Sequence, residues 1–130
     1  MSTFNAIGTA ASGVTVYRKW LDAVSDNIAN MNNVSRTSEK AFQARYVIAQ
    51  QAQDGNGAEV GGIAYGNAEG VLAYEPDNPL ADAEGYVRRP DIDMGTQMAQ
   101  MMMAQRSYQA NLSVVDRAKE SYTAAINLGK

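Results

Sequence analysis

The last third of the chain, from Met94 to Leu128, constrains what the rest can be. No proline or glycine interrupts Thr96 to Leu128, and Gly129 follows the last apolar residue as a helix stop. At helical spacing Met98, Met101, Tyr108, Leu112, Val115, Tyr122 and Ile126 fall on one stripe in steps of three, four or seven. This is the pattern of an amphipathic helix that packs along another helix. At 1.5 Å per residue the run predicts a helix of roughly 50 Å, longer than a small domain is wide. Ala104, Asn111, Ala118 and Ala125 make a second stripe of small residues at sevenfold spacing, which lets another backbone come close. A stripe this long needs a partner of similar length.

The N-terminal stretch is that partner. Ile7, Val14, Leu21 and Ile28 repeat every seven residues, and Ala10, Tyr17, Val24 and Met31 follow each by three. That is an a/d seam over four heptads. Gly8 and Gly13 lie inside it, each costing roughly 1 kcal/mol relative to Ala. Val14, Thr15 and Val16 are β-branched and weaken it further. Such a helix is marginal alone and depends on packing for its order.

The texture changes at Asn27, where Asn27, Asn30, Asn32 and Asn33 fall within seven positions. Asparagine competes for local backbone groups and tolerates left-handed conformations, so a helix ends here and a polar loop begins. The loop can hydrogen-bond a neighbouring molecule, or it can be a plain C-cap and turn. Phe42 to Ala52 alternates too poorly to separate a short strand from a helical turn. Asp54-Gly55-Asn56-Gly57 is a turn signal. Short strands are expected at Val60–Tyr65, at Val71–Tyr74 and over Gly85 to Pro90, broken by Gly-rich turns. Asp93 or Thr96 can cap the second helix, with Asp91 and Asp93 favourably placed at its N-terminus.

The chain of 130 residues has no cysteine and no histidine. Thiolate metal sites, disulfides and thiol nucleophiles are therefore excluded, and the commonest general base and transition-metal ligand are missing. Asp82-Ala83-Glu84-Gly85 with Asp91 fails as a calcium loop, because Leu80 stands where a ligand is required. Gly55-Asn56-Gly57 fails as a dinucleotide fingerprint, since Val60 replaces the third glycine. Asp91 and Asp93 are better explained by capping than as an acid/base pair, and the methionines by packing than by soft-metal binding. The chain is not read as an enzyme, and no cofactor, metal or small-molecule substrate is expected. The formal charge of -3 divides into +2 over residues 1–50, -7 over 51–93 and +2 over 94–130. This can attract neighbouring subunits, or it can be a plain solvated acidic surface, the better-supported of the two. No basic cluster with interleaved aromatics points to nucleic acid. No apolar run approaches the ~18 residues of a membrane span. The first basic residue is Arg18, so the charged start of a cleaved secretory signal is missing.

Three segments resemble one family. Asp26-Asn27-Ile28-Ala29-Asn30 with Asn32 and Asn33 resembles the signature that closes the N-terminal helix of bacterial flagellar rod and hook proteins. Tyr74-Glu75-Pro76-Asp77-Asn78-Pro79 with Gly85-Tyr86-Val87-Arg88-Arg89-Pro90-Asp91-Ile92 resembles the middle signature of its proximal-rod members. Arg106-Ser107-Tyr108-Gln109-Ala110-Asn111 with Ala118-Lys119 resembles their C-terminal helix. The three occur in the family's order and span nearly the whole chain. The family more usually has Asn where Asp91 and Asp93 stand and Glu where Gln97 stands.

The resemblance implies a structural subunit of the basal-body rod, stacked helically to pass torque and to surround the export channel. It implies partners among copies of itself, other rod proteins, basal-body rings and export-gate or adaptor components. It also implies export by the flagellar type III apparatus without a cleaved signal, and terminal regions often disordered before assembly. The expected fold is mainly α: two long terminal helices pairing as an antiparallel coiled coil, with a small Gly-rich β insert. Its divisions are an axial helix over 1–33, a loop and insert over 34–93, and an axial helix over 94–130. Two such helices cannot bury their outer faces within one monomer. Asn27, Asn30, Asn33, Tyr108, Gln109 and Asn111 are the expected polar assembly contacts; Leu21, Ile28, Met101, Leu112 and Val115 are the expected helix–helix seam. The competing reading from the residues alone is a coiled-coil binding module that closes as a dimer.

Overall fold

A computed structural model describes residues 3–129. The element order is α1 (Thr3–Asn30), β1 (Arg45–Gln51), β2 (Ala58–Tyr65), β3 (Val71–Tyr74), β4 (Tyr86–Arg89) and α2 (Met94–Leu128). The protein is therefore mainly helical, but the segment between the helices forms two separate two-stranded sheets, β1–β2 and β3–β4. The ambiguous stretch after Phe42 becomes β1. Six of its seven residues are exposed, so no buried face imposed an alternation on the sequence.

The chain divides into two compact units. The first contains residues up to Leu21, Val47–Gly62 and the chain from Met102 onward. Here α1 and α2 run antiparallel. Phe4 meets Tyr122 edge to face with ring centroids 5.1 Å apart, and Gly13 faces Asn111. A Cβ on Gly13 would stand 2.7 Å from Asn111 Oδ1, so the glycine that weakens the helix is what lets α2 approach. The β1–β2 hairpin seats on α1 through Ser12. Its hydroxyl donates to Thr9 O at 2.7 Å and accepts from the Ala58 amide at 3.0 Å. Gly57, at φ +97°, packs so closely on Ser12 that any Cβ there would overlap the hydroxyl.

The second unit contains Asp22–Tyr46 and Ile63–Met101. Its interior holds Ala23, Val24, Ala41, Ala44 and Val87. β3 and β4 pair antiparallel in the register Val71↔Arg89 to Tyr74↔Tyr86. Ser35 extends that ladder by a bridge to Arg88, exchanging both backbone hydrogen bonds at 2.8 and 2.9 Å. The Arg88 guanidinium donates to the carbonyls of Glu69 and Thr37, pinning the loop before β1 to the sheet.

The helices bury part of the expected seam together with smaller side chains beside it. In α1 the buried residues are Ala10, Val16, Ala23, Val24 and Asn27. Val16, Ala23 and Asn27 each stand one residue before an expected seam position. In α2, Gln97 and Ala104 are buried, and Met101, Tyr108, Asn111, Val115 and Ala118 are half-buried. The inner stripe is thus the small-residue one, extended back to Gln97 and joined by Met101, Tyr108 and Val115. Met98, Leu112, Tyr122 and Ile126 are 40–46% exposed. Small side chains win the interior because they bring two backbones within reach of each other. Ala125, on the same stripe, is exposed like every residue from 119 to 129.

Candidate assembly surface

The helix-closing asparagines do three different jobs. Asn27 is fully buried at the last turns of α1, and its amide is saturated. Its Nδ2 donates to Arg45 O and to Gln97 Oε1, both at 3.0 Å, and its Oδ1 accepts from the Arg45 amide at 2.7 Å. One side chain thereby joins the end of α1, the start of β1 and the first turns of α2, and presents nothing at the surface. Gln97 is 1% exposed, and reading the chain for large apolar residues overlooks it. The signal was present as the sevenfold continuation 97, 104, 111, 118. Asn30 donates back to Asp26 O at 2.8 Å and accepts from Asn33 Nδ2 at 2.8 Å, so these two form the C-cap and turn. Asn33 and the partly exposed Asn30 border the exposed loop.

Of the C-terminal candidates, Asn111 donates to Ser107 O at 2.9 Å while its Oδ1 stands over Gly13. Tyr108, Met101 and Val115 are half-buried on the inner stripe, and Leu21 and Ile28 are half-buried on α1. Gln109 is exposed, and Leu112 is 40% exposed on the outer side of α2. Met102, Met103 and Val114 are each about half exposed on other sides of the helix, and Leu128 is 89% exposed.

Three carboxylates are structural, Glu75 and Asp82 in the β3–β4 connection and Asp93 just before α2. Asp93 caps α2, accepting from the Thr96 amide and hydroxyl at 2.7 Å each, and these bonds hold its pKa below the usual value. Asp82 accepts from the Tyr86 amide at 2.8 Å and the Glu84 amide at 3.1 Å, and its pKa is lowered chiefly by the Tyr86 bond. Glu75 is lowered by the hydrogen bond from Asn78 and then by Arg89, whose Nε lies 2.7 Å away. Each accepts hydrogen bonds in its ionised form, which is the opposite of the raised pKa that general-acid work needs. Among the described residues no group of three or more His, Cys, Asp or Glu is placed to hold a metal ion. Among the described residues no helix is long and apolar enough to cross a membrane.

The chain is similar to known proteins along its whole length. Residues 83–128 match the family described as "Flagellar basal body rod FlgEFG protein C-terminal". The flagellar basal-body rod protein FlgC of Salmonella typhimurium is 34% identical over the full length of both chains. FlgC of Escherichia coli O157:H7 is also 34% identical over both full lengths, and that of Bacillus subtilis is 29% identical, again end to end.

Proposed function

The chain belongs to the FlgC family of flagellar basal-body rod proteins, and from that premise we propose that it polymerises helically through the outer face of α2. It is a structural subunit of the rod in the basal body, and not an enzyme. The observation that carries the proposal is the exposure of large apolar side chains along α2, from Met98 at 46% to Leu128 at 89%. At about 25 cal/mol per Å² of apolar area, covering such a surface is a strong drive to association. Contacts that do not close on themselves build open filaments.

In this reading residues 1–33 and 94–130 are the axial parts, paired along their length as an antiparallel coiled coil. The 97–118 stripe on α2 and the sevenfold set Ala10, Tyr17 and Val24 on α1 support that pairing. Residues 34–93 are the insert. Leu21, Ile28, Asn30, Asn33, Gln109 and Leu112 supply contacts between subunits, while Asn27 and Asn111 set the shape of the subunit that makes them. The partners are copies of this chain and other components of the flagellum, including rod proteins, basal-body rings and the export gate. The assembly passes torque and surrounds the export channel, and the subunit reaches it through the flagellar export apparatus without a cleaved signal.

Sedimentation of the purified chain over a concentration series tests the reading. Open-ended polymers that lengthen with concentration are expected, and Leu21→Asp, which places an unpaired charge against the partner, should stop growth. A plateau at a discrete dimer would overturn it.

A further inference from the structure

We infer that Asn56 is a site of self-modification: its side-chain amide closes on the Gly57 nitrogen, and the rearranged product loosens the β1–β2 hairpin from α1. The inference stands apart from the rod reading. Asparagine is among the heat-labile residues of proteins. Its loss is fastest where glycine follows, because no side chain then shields the next backbone nitrogen. No other asparagine of this chain precedes a glycine.

The structure leaves this step open and restrains the one beside it. Asn56 is exposed in the connection between β1 and β2. Among the described residues the Gly57 amide donates to no acceptor, although its carbonyl accepts from the Ala52 amide at 3.1 Å. The leaving nitrogen, Asn56 Nδ2, makes only a long bond of 3.3 Å to Asp54 O. Asn5 Nδ2 of α1 stands 3.5 Å from Asn56 Oδ1, the atom that gathers negative charge when Cγ is attacked. Asp54-Gly55 has the same spacing of atoms, but the Gly55 amide donates to Ala52 O at 2.8 Å. Asp54 Oδ1 in turn accepts from the Asn56 amide at 2.9 Å. Nitrogen and carboxyl are both held there, and a carboxylate is a poorer electrophile than an amide.

The reaction needs only water. The Gly57 nitrogen gives up its proton to solvent and attacks Asn56 Cγ. A C–N bond forms, the Cγ–Nδ2 bond breaks, and Nδ2 leaves as ammonia, closing a five-membered imide. Water then opens either imide carbonyl. Opening at Cγ gives an ordinary aspartate; opening at the main-chain carbonyl gives an isoaspartate, with the backbone running through the former side chain. No atom is oxidised or reduced.

The isoaspartate lengthens the main chain by one carbon immediately before the tightest joint of the hairpin. Gly57 lies so close to Ser12 that even a Cβ would overlap the hydroxyl, and the next amide, that of Ala58, donates to Ser12 Oγ at 3.0 Å. An inserted carbon displaces Gly57 and draws the Ala58 amide off Ser12. The ordinary aspartate keeps the backbone and adds only a charge.

The test incubates the full chain in mildly alkaline buffer, digests it and maps the peptides by mass, with aspartyl and isoaspartyl forms separated by chromatography. Asn56 should convert ahead of every other asparagine, and faster as pH rises, because the step begins with loss of the Gly57 proton. Asn56→Gln should abolish the product. Unfolding in urea should leave the Asn56 rate nearly unchanged while raising isomerisation at Asp54. Conversion of Asn56 no faster than that of Asn67, which is exposed but precedes alanine, would overturn the site. So would a greater slowing by the fold at Asn56 than at Asp54. In the separated isoaspartyl chain, hydrogen exchange of the Ala58 amide should be faster than in the parent. Equal protection would overturn the loosening of the hairpin. None of these readouts involves polymer growth, so the rod reading stands or falls separately.

Discussion

Replacing Gly13 by alanine separates two effects that usually travel together. An alanine inside a helix is favoured over glycine by about 1 kcal/mol when nothing else changes. Gly8 offers that case, because a Cβ there meets nothing within 4 Å. Gly8→Ala should therefore raise stability by up to about 1 kcal/mol. At Gly13 the same methyl would lie 2.7 Å from Asn111 Oδ1 and 3.0 Å from Cγ. Asn111 would have to turn away, loosening its 2.9 Å bond to Ser107 O, or the helices would have to separate. Overpacking of this kind costs typically 1–3 kcal/mol, which cancels or exceeds the propensity gain. The two variants should thus differ by about 1–3 kcal/mol, or roughly 4–12 °C in melting temperature for a chain of this length. The assay is thermal melting followed by circular dichroism at 222 nm. The double variant Gly13→Ala/Asn111→Ala removes the obstruction and should recover most of the loss as a coupling energy above about 0.5 kcal/mol. Equal stabilisation by Gly8→Ala and Gly13→Ala would refute the close approach of α1 and α2 in this unit.

Asn27→Ala should cost about 2–4 kcal/mol in denaturant melts, since it leaves buried polar groups of Arg45 and Gln97 without partners; a loss below about 1 kcal/mol would show the amide network to be dispensable. Gly70 sits at φ +57°, where an added Cβ would overlap Arg89 O and press on Ala41, so Gly70→Ala should lower the melting temperature well beyond the ~1–2 kcal/mol of left-handed strain alone. The lowered pKa values of Asp93, Asp82 and Glu75 make their contribution to stability fully present above the ordinary values of 3.8, 3.8 and 4.5, and lost as pH falls through the lower folded-state values. Acid titration of ellipticity should show this loss below about pH 4, and Asp93→Asn, which keeps the capping oxygen but cannot titrate, should flatten the part due to α2.

Much of the architecture is legible in the residues. The unbroken run from Thr96, the asparagines from Asn27 and the glycines around the strands place the ends of both helices to within about a turn, and the short strands. The Asp93 cap is readable because it depends on a residue three positions away. β1 was less so. Its exposure leaves no periodic trace, and its pairing with β2 depends on a hairpin that Gly57 and Ser12 seat on a distant helix. Among the assembly candidates, Gln109 and Leu112 are exposed, whereas Asn27, Asn33 and Asn111 bond within the subunit.

By itself, the amino-acid order determined how long the helices are, where they stop and that their inner faces repeat every seven residues. These follow from local propensity, capping and side-chain spacing along one element. Only the tertiary structure decided which stripe of each helix turns inward. Two stripes of α2 have the same period, and the choice between them depends on how closely α1 can approach, which Gly13 sets from across the interface. It also decided that Asn27 is an internal tie, because its partners Arg45 and Gln97 lie 18 and 70 residues away, beyond any spacing that a local pattern records.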